Sequence, residues 1–213
     1  MTIVVPLRAF ASGKTRLAAN LSVDERRRIA EACARSVLGS AGAAGSDRVV
    51  VCEDDDTEQW ALTIGARVVR VAVRGLNESL AAAELSRHCA GDTVVIAHGD
   101  LPLAERLIED LTDVVTVTDE VVVVTDRHED GTNVLVLPRR SVADWRFGYG
   151  PGSKERHLAE ASRLGLRART VTHPRLSVDL DTADDLALPE VASFVEAVIG
   201  RHGGIDEPAR EIR

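Results

Sequence analysis

Valine-rich runs at residues 2–7, 48–52, 66–71 and 93–97 recur through the first hundred residues, and stretches of helical period separate them. Strands that alternate with helices need crossover connections. The pattern therefore predicts an α/β fold whose mixed, mainly parallel sheet is flanked by helices. Helices are expected at 23–38, 78–88, 105–117, 153–164 and 190–201. The first opens on Ser22 with Glu25 at capping-box spacing and is expected to end at Gly39 and Gly42; Asn77 is the candidate cap of the second. Beyond residue 120 the character changes. Runs at 121–125 and 134–137 flank "DRHEDGTN", a glycine-containing connection that predicts an antiparallel excursion, and one more strand is expected at 168–172.

At 213 residues and 45% hydrophobic content the chain suits a single domain spanning residues 1–213. A net charge of −8 and six aromatic residues argue against nucleic acid as a partner. Cys33, Cys52 and Cys89 are odd in number and show no ligand spacing, as expected of a reduced cytoplasmic protein. No secretion-signal pattern and no apolar run of membrane-spanning length is present, so no membrane association is expected.

Candidate chemistry gathers where strands end, because ligands of open α/β sheets collect beyond the carboxyl ends of the strands. After the first strand, Gly13-Lys14-Thr15 imitates the end of a P-loop, but that spacing needs glycine where Arg8 stands. What remains is a small-residue loop carrying Lys14 and Arg16, an anion site in outline. Asp100 follows the apolar run "TVVIA" and precedes Leu101 and Pro102, as a site carboxylate or a turn and cap residue. Asp179 and Asp181 alternate with Val178 and Leu180, which puts both carboxylates on one face of an extended segment. Like charges so placed favour a cation between them; the other reading makes Asp181 the cap of a short helix from Thr182. "FGYGPGSKERH" carries Gly148, Gly150 and Gly152 ahead of Ser153 and a helix, either an anion cradle at a helix N-terminus or a flexible loop with an ordinary cap. Thr132 can bond the same anion or finish a turn. Lys14 and Lys154 are the only lysines, and both fall in these loops. His98, His128, His157 and His173 lack metal-ligand spacing and read mostly as surface residues or local hydrogen-bonders.

"VVPLRAFASGKTRLA", "AHGDLPL", "GTNVLVLP", "FGYGPGSKERH" and "VDLDTADDL", in this order from residue 2 to residue 186, resemble the 2-phospho-L-lactate and phosphoenolpyruvate guanylyltransferase family of deazaflavin coenzyme F-420 biosynthesis. The resemblance implies the nucleotide-diphospho-sugar transferase (glycosyltransferase-A-like) fold, GTP as donor, a small phosphorylated acid as acceptor, Mg²⁺ as cofactor and pyrophosphate as leaving group. It implies metal ligation by Asp100, Asp179 and Asp181, and acceptor binding by Thr132, Gly150 and Ser153. A GTP site of Leu7, Arg8, Lys14, Arg16 and Asn77 is implied as well, with Lys14, Arg16 and Asp100 in catalytic roles and a downstream deazaflavin transferase as partner. The sequence departs from the family at His98-Gly99, where small or apolar residues are expected, and at Arg8, where lysine is common. Its arginine and alanine bias suggests a GC-rich source, for which the resemblance favours phosphoenolpyruvate.

Overall fold

The computed structural model describes residues 1–10, 13–115 and 119–200. Seven strands form one sheet: β1 (Thr2–Pro6), β2 (Asp47–Cys52), β3 (Arg67–Arg70), β4 (Thr93–Ala97), β5 (Glu120–Val124), β6 (Val134–Pro138) and β7 (Arg167–Val171). Their order is β3-β2-β1-β4-β6-β5-β7. β1 pairs in parallel with β2 and β4, β2 with β3, and β5 with β7, whereas β6 runs antiparallel to both β4 and β5. The expected antiparallel excursion is therefore β6.

The five inner strands are buried on both faces, the edge strands β3 and β7 much less so, and the strand sequences show why. Ile3, Val5, Val50, Val95, Val122 and Val136 join one apolar cluster with helix α1 (Val23–Ala43) and helix α4 (Leu107–Val114). Val4, Val49, Val51, Val94, Ile96, Val121 and Val123 join another, with α3 (Leu76–Ala82) and α5 (Ser153–Arg163). Alternate residues of each strand face opposite helical layers, so near-continuous valine runs are what such a sheet needs. A third cluster, Leu17, Leu21, Ile29, Cys33, Leu180, Val191 and Val195, ties the loop after β1 and the segment around Leu180 to α1 and α7 (Pro189–Ile199).

Several helices differ from expectation. The capping box of Ser22 and Glu25 forms, but α1 runs through Gly39 and Gly42 to Ala43. Glycine costs about 1 kcal/mol each inside a helix, which burial of Val37, Leu38 and Ala41 offsets. A helix without a sequence counterpart, α2 (Asp55–Thr63), opens on Asp54, whose carboxylate accepts from Thr57 N. Helix α3 starts at Leu76 with Gly75 at its cap, so Asn77 lies inside the first turn and is not the cap; the helix ends at Ala82 rather than residue 88. The cap of α5 is Gly152, at φ 72°, and not Ser153. The expected ends of two helices, at residues 117 and 201, lie outside the described residues. Helix α6 (Ala183–Leu186) takes Thr182 as cap in a capping box with Asp185, so Asp181 is not a cap. Among the described residues no helix is long and apolar enough to cross a membrane. All three cysteines are free and buried.

Candidate active site

The chain leaves β1 towards β2 and β3 on one side and returns to β4 on the other, so the loops after β1 and β4 diverge and open a crevice. A cleft of about 860 Å³ lies there. The loop after β1 lines it with Leu7, Arg8, Lys14 and Arg16, and the loop after β4 with His98 and Asp100. The β5–β6 connection adds Arg127, Thr132 and Asn133, and the glycine loop adds Gly150 and Ser153. Asp179 and Asp181 complete the wall. Close approach at its floor depends on Gly99, where a Cβ would lie 2.3 Å from Leu7 Cδ2.

The three carboxylates converge. Leu180 N donates to Asp100 O at 3.1 Å, which docks the 179–181 segment against the end of β4. Leu180 is fully buried in the third cluster, so its two neighbours face the other way, into the cleft. Asn133 Nδ2 donates to Leu176 O at 3.1 Å and reaches Asp179 Oδ1 at 3.5 Å. Burial, then the nearby Asp100 carboxylate, pushes the Asp179 carboxyl up to about 6. Asp181 is raised too, by burial first and by Asp100 second, against the pull of Lys14 and Arg16. Asp100 Oδ1 is buried without a hydrogen-bond partner among the described residues. Such mutual repulsion and an unpaired buried oxygen cost free energy that a bound cation would recover. No three His, Cys, Asp or Glu side chains among the described residues stand grouped as a finished metal cage. Carboxylate oxygens are the donors that a hard cation such as Mg²⁺ takes, together with phosphate oxygens and water.

Lys14 and Arg16 face this acidic wall. Lys14 sits at φ 53°, in the left-handed region, and its Nζ donates to Leu180 O at 2.5 Å. Arg16 Nη1 lies 3.7 Å from Asp181 Oδ2 on an exposed rim. Lys154, in contrast, pairs with Glu155 at 3.5 Å. The whole acidic segment is pinned by Asp185. This nearly buried carboxylate accepts from Asp181 N at 2.9 Å, Thr182 N at 2.7 Å and Thr182 Oγ1 at 2.9 Å, and pairs with Arg127 at 2.8 Å. Burial alone would raise its carboxyl; the donors outweigh burial and hold it below the usual range. Asp185→Ala is expected to cost on the order of 2–4 kcal/mol in urea unfolding, because four donors lose their acceptor at once.

On the opposite wall the glycine loop is fixed rather than loose. Asn77 clamps Tyr149 through both polar atoms of its side-chain amide, Nδ2 donating to Tyr149 O at 3.1 Å and Oδ1 accepting from Tyr149 N at 2.7 Å. Its amide is thus committed to the loop, a role that no local pattern marks. Gly152 N donates to Asp130 Oδ2 at 2.7 Å, Lys154 N to Asp130 O at 3.1 Å and Ser153 N to Gly150 O at 3.0 Å. The first amides of α5 are therefore occupied, and the expected helix-terminus cradle is not what lines the seat. Its polar groups are the hydroxyls of Thr132 and Ser153, each 2% exposed, 3.2 Å apart. Gly150, at φ 110°, makes the bend that brings Ser153 beside Thr132.

The sequence from residue 1 to residue 191 matches the family described as "Guanylyl transferase CofC like". The chain belongs to that family. Phosphoenolpyruvate guanylyltransferase of Roseiflexus castenholzii is 32% identical over 186 residues, covering 86% of this chain and 84% of its own. 2-phospho-L-lactate guanylyltransferase of Methanothermobacter thermautotrophicus is 34% identical over 188 residues, covering 86% and 81%. Among solved structures, a nucleotidyl transferase from Methanothermobacter thermautotrophicus superposes with a TM-score of 0.60 at 18% identity, covering 92% of this chain and 98% of its own. The fold is thus the nucleotidyltransferase one implied by the sequence motifs, and family membership makes the chain a nucleotidyltransferase.

Three cleft-lining residues, Glu53, Arg127 and Asn133, are not singled out by the sequence, and His157, expected as a surface residue or local hydrogen-bonder, is fully buried against Thr132. Glu53 directly follows β2, at the strand end where ligands collect, and its Oε2 is buried without a partner among the described residues. That position was the available signal. Nothing local marks Arg127 or Asn133, whose side-chain partners lie 43 to 58 residues away in sequence; His157 has one partner at 25 residues, Thr132, and one at 9, Gly148.

Proposed function

We propose that the protein transfers GMP from GTP to a small phosphorylated three-carbon acid, phosphoenolpyruvate first, with release of pyrophosphate, as a cytoplasmic step of F-420 biosynthesis that feeds a downstream deazaflavin transferase. The observation that carries this is the arrangement of one cleft: an acidic wall, Asp100, Asp179 and Asp181, with Lys14 and Arg16 beside it and a hydroxyl seat, Thr132 and Ser153, also lining it. 2-phospho-L-lactate is the second reading, because a relative so named matches this chain as well as those named for phosphoenolpyruvate do.

The chemistry makes modest demands. An acceptor phosphate oxygen, already anionic at neutral pH, attacks the α-phosphorus of GTP. The new P–O bond forms as the bond from the α-phosphorus to the bridging oxygen breaks, and pyrophosphate leaves. No general base is needed, so catalysis reduces to orientation and charge neutralisation. Asp100, Asp179 and Asp181 would hold Mg²⁺, which when bound neutralises charge on the phosphate oxygens. Lys14 and Arg16 stabilise the departing pyrophosphate, while Leu7 and Arg8 border the nucleotide. Glu53 offers a carboxylate that can accept from the two N–H groups on the guanine edge, and adenine presents no matching pair. Asn77 serves the site by holding the glycine loop through Tyr149.

The test is incubation with GTP, ATP, CTP or UTP plus phosphoenolpyruvate, 2-phospho-L-lactate or 3-phosphoglycerate, reading pyrophosphate release and product mass. Turnover with GTP and one of these acids is expected. No pyrophosphate from GTP with any of them would overturn the assignment.

A further inference from the structure

We propose that His157 is a positioning residue that makes the Thr132 hydroxyl a one-way hydrogen-bond donor into the cleft, so that the seat reads acceptor oxygens of a carboxylate or phosphoryl group. The inference rests on the acid-acceptor reading above and assigns a function to a side chain that the sequence marked only as polar.

Donor and acceptor counts at Thr132 and His157 fix the direction of each bond. His157 lies on α5 with no exposure, packed edge-on to Tyr149 at 4.7 Å between ring centres. Its Nε2 stands 3.2 Å from Gly148 N. A backbone N–H can only donate, so Nε2 must carry a lone pair. The neutral ring then has one proton, on Nδ1, and that nitrogen is 3.0 Å from Thr132 Oγ1. Burial pushes the imidazole down to about 4, and a proton on Nε2 would oppose the Gly148 N–H, so the neutral tautomer persists at neutral pH. Ser153 Oγ donates to the same Thr132 oxygen at 3.2 Å. Two donors fill both lone pairs of Thr132 Oγ1. Its own hydrogen has to leave the network, and Thr132 lines the cleft. A free hydroxyl rotor can serve as donor or acceptor; this one can only donate. Oxygens of an ionised acid gain most from such a donor, and an N–H placed there would meet none of the acceptors it needs.

The chain of bonds also fixes where the donor stands. Gly148 belongs to the loop that Asn77 clamps at Tyr149, and Arg156 Nε donates to Gly148 O at 2.7 Å. His157 thus links the backbone of the loop to the hydroxyl pair that would touch the acid.

The experiment compares His157→Phe, His157→Asn and His157→Gln with the unaltered protein, by steady-state kinetics and by calorimetric binding of phosphoenolpyruvate. Phenylalanine keeps the ring packing and removes both bonds. Asparagine places an amide N–H on the branch that Nδ1 occupied, whereas glutamine reaches the Nε2 position and leaves Thr132 unserved. His157→Phe is expected to raise KM for the acid about tenfold while KM for GTP stays within about twofold. His157→Asn should recover most of the loss and His157→Gln little of it. In a Thr132→Val background the effect of His157→Phe on the acid should vanish. Equal acid KM in His157→Phe and the unaltered protein, equal behaviour of the Asn and Gln variants, or full additivity with Thr132→Val would each overturn the proposal. If His157→Phe does not fold, the Asn and Gln pair decides. Failure of the unaltered protein to bind or turn over any of the three acids is a different result; it removes the acceptor reading, and this inference with it.

Discussion

Asp179→Asn is expected to abolish turnover and at the same time to make the protein more stable in the absence of divalent cations. The two outcomes share a cause. Asp179 is partly buried beside Asp100 and Asp181, and its carboxyl is pushed up to about 6 by burial and then by those neighbours. The native protein therefore binds this proton more tightly than the unfolded chain does, where an aspartate titrates near 4. Below pH 4 both states are protonated and Asp179 costs nothing. As pH rises from 4 to 6 the unfolded chain ionises first and stability falls; above 6 the full cost is present. Two pKa units correspond to at most about 3 kcal/mol, so a gain of roughly 1–3 kcal/mol at pH 8 is expected for the amide. Thermal or urea unfolding across pH 4–8 should show the variant's advantage closing as the pH drops through 6. Added Mg²⁺ should raise the melting temperature of the unaltered protein and leave that of the variant almost unmoved. Loss of activity should exceed about 10²-fold, since a preorganised charge at the reacting phosphates is removed. A variant of unaltered activity, or one less stable than its parent at pH 8, would contradict the reading of this wall as strained in favour of a cation.

Removing the Lys14 side chain is expected to lower kcat by about 10²-fold, the usual effect of losing one preorganised electrostatic group. The substitution has to respect the backbone. Lys14 stands at φ 53°, where lysine and alanine, each with a Cβ, bear the same left-handed penalty of about 1–2 kcal/mol, whereas glycine would be relieved of it. Lys14→Ala therefore removes the charged side chain with the backbone term unchanged. Its second consequence is structural: Nζ of Lys14 ties the loop after β1 to Leu180 O, between the two aspartates. Lys14→Arg keeps the charge without the compact single donor that reaches that carbonyl, and should restore less than half of the activity. Kinetics for GTP and acid measured separately will show the loss in kcat and in the GTP term, with KM for the acid little changed. An equal loss on the acid side would mean that Lys14 holds the seat rather than the leaving group.

The legible part of this molecule was its alternation. Each strand is readable to within a residue or two, and for the inner strands the reason is that a sheet covered on both faces needs continuous apolar runs; "TVVIA" or "VVVVT" offers little else. Helix ends were less readable. Gly39 and Gly42 look like stops, yet α1 continues because its buried face outweighs the cost of two glycines. Helix α2 is hard to read from the sequence because its acidic first turn hides a sparse apolar face of Trp60, Ala61 and Ile64 that meets the core only in three dimensions. At the site, position and alternation were enough to single out Asp100, Asp179 and Asp181, and the fold brings them to one wall. Hydrogen-bond direction was not legible. Thr132 and Ser153 could be named, but the sense of their bonds depends on His157 and Gly148, and the amides of α5 turn out to be spent on Asp130 and Gly150. Asn77 shows the same limit, since its clamp on Tyr149 spans 72 residues.

The most direct test of the acidic wall is a titration of the protein with Mn²⁺ followed by electron paramagnetic resonance, in the unaltered protein and in Asp100→Asn and Asp179→Asn, each with and without phosphoenolpyruvate. Saturable binding that weakens at least tenfold in both variants is the expected result. Mn²⁺ affinity that is the same in all three proteins would show that these carboxylates do not share an ion.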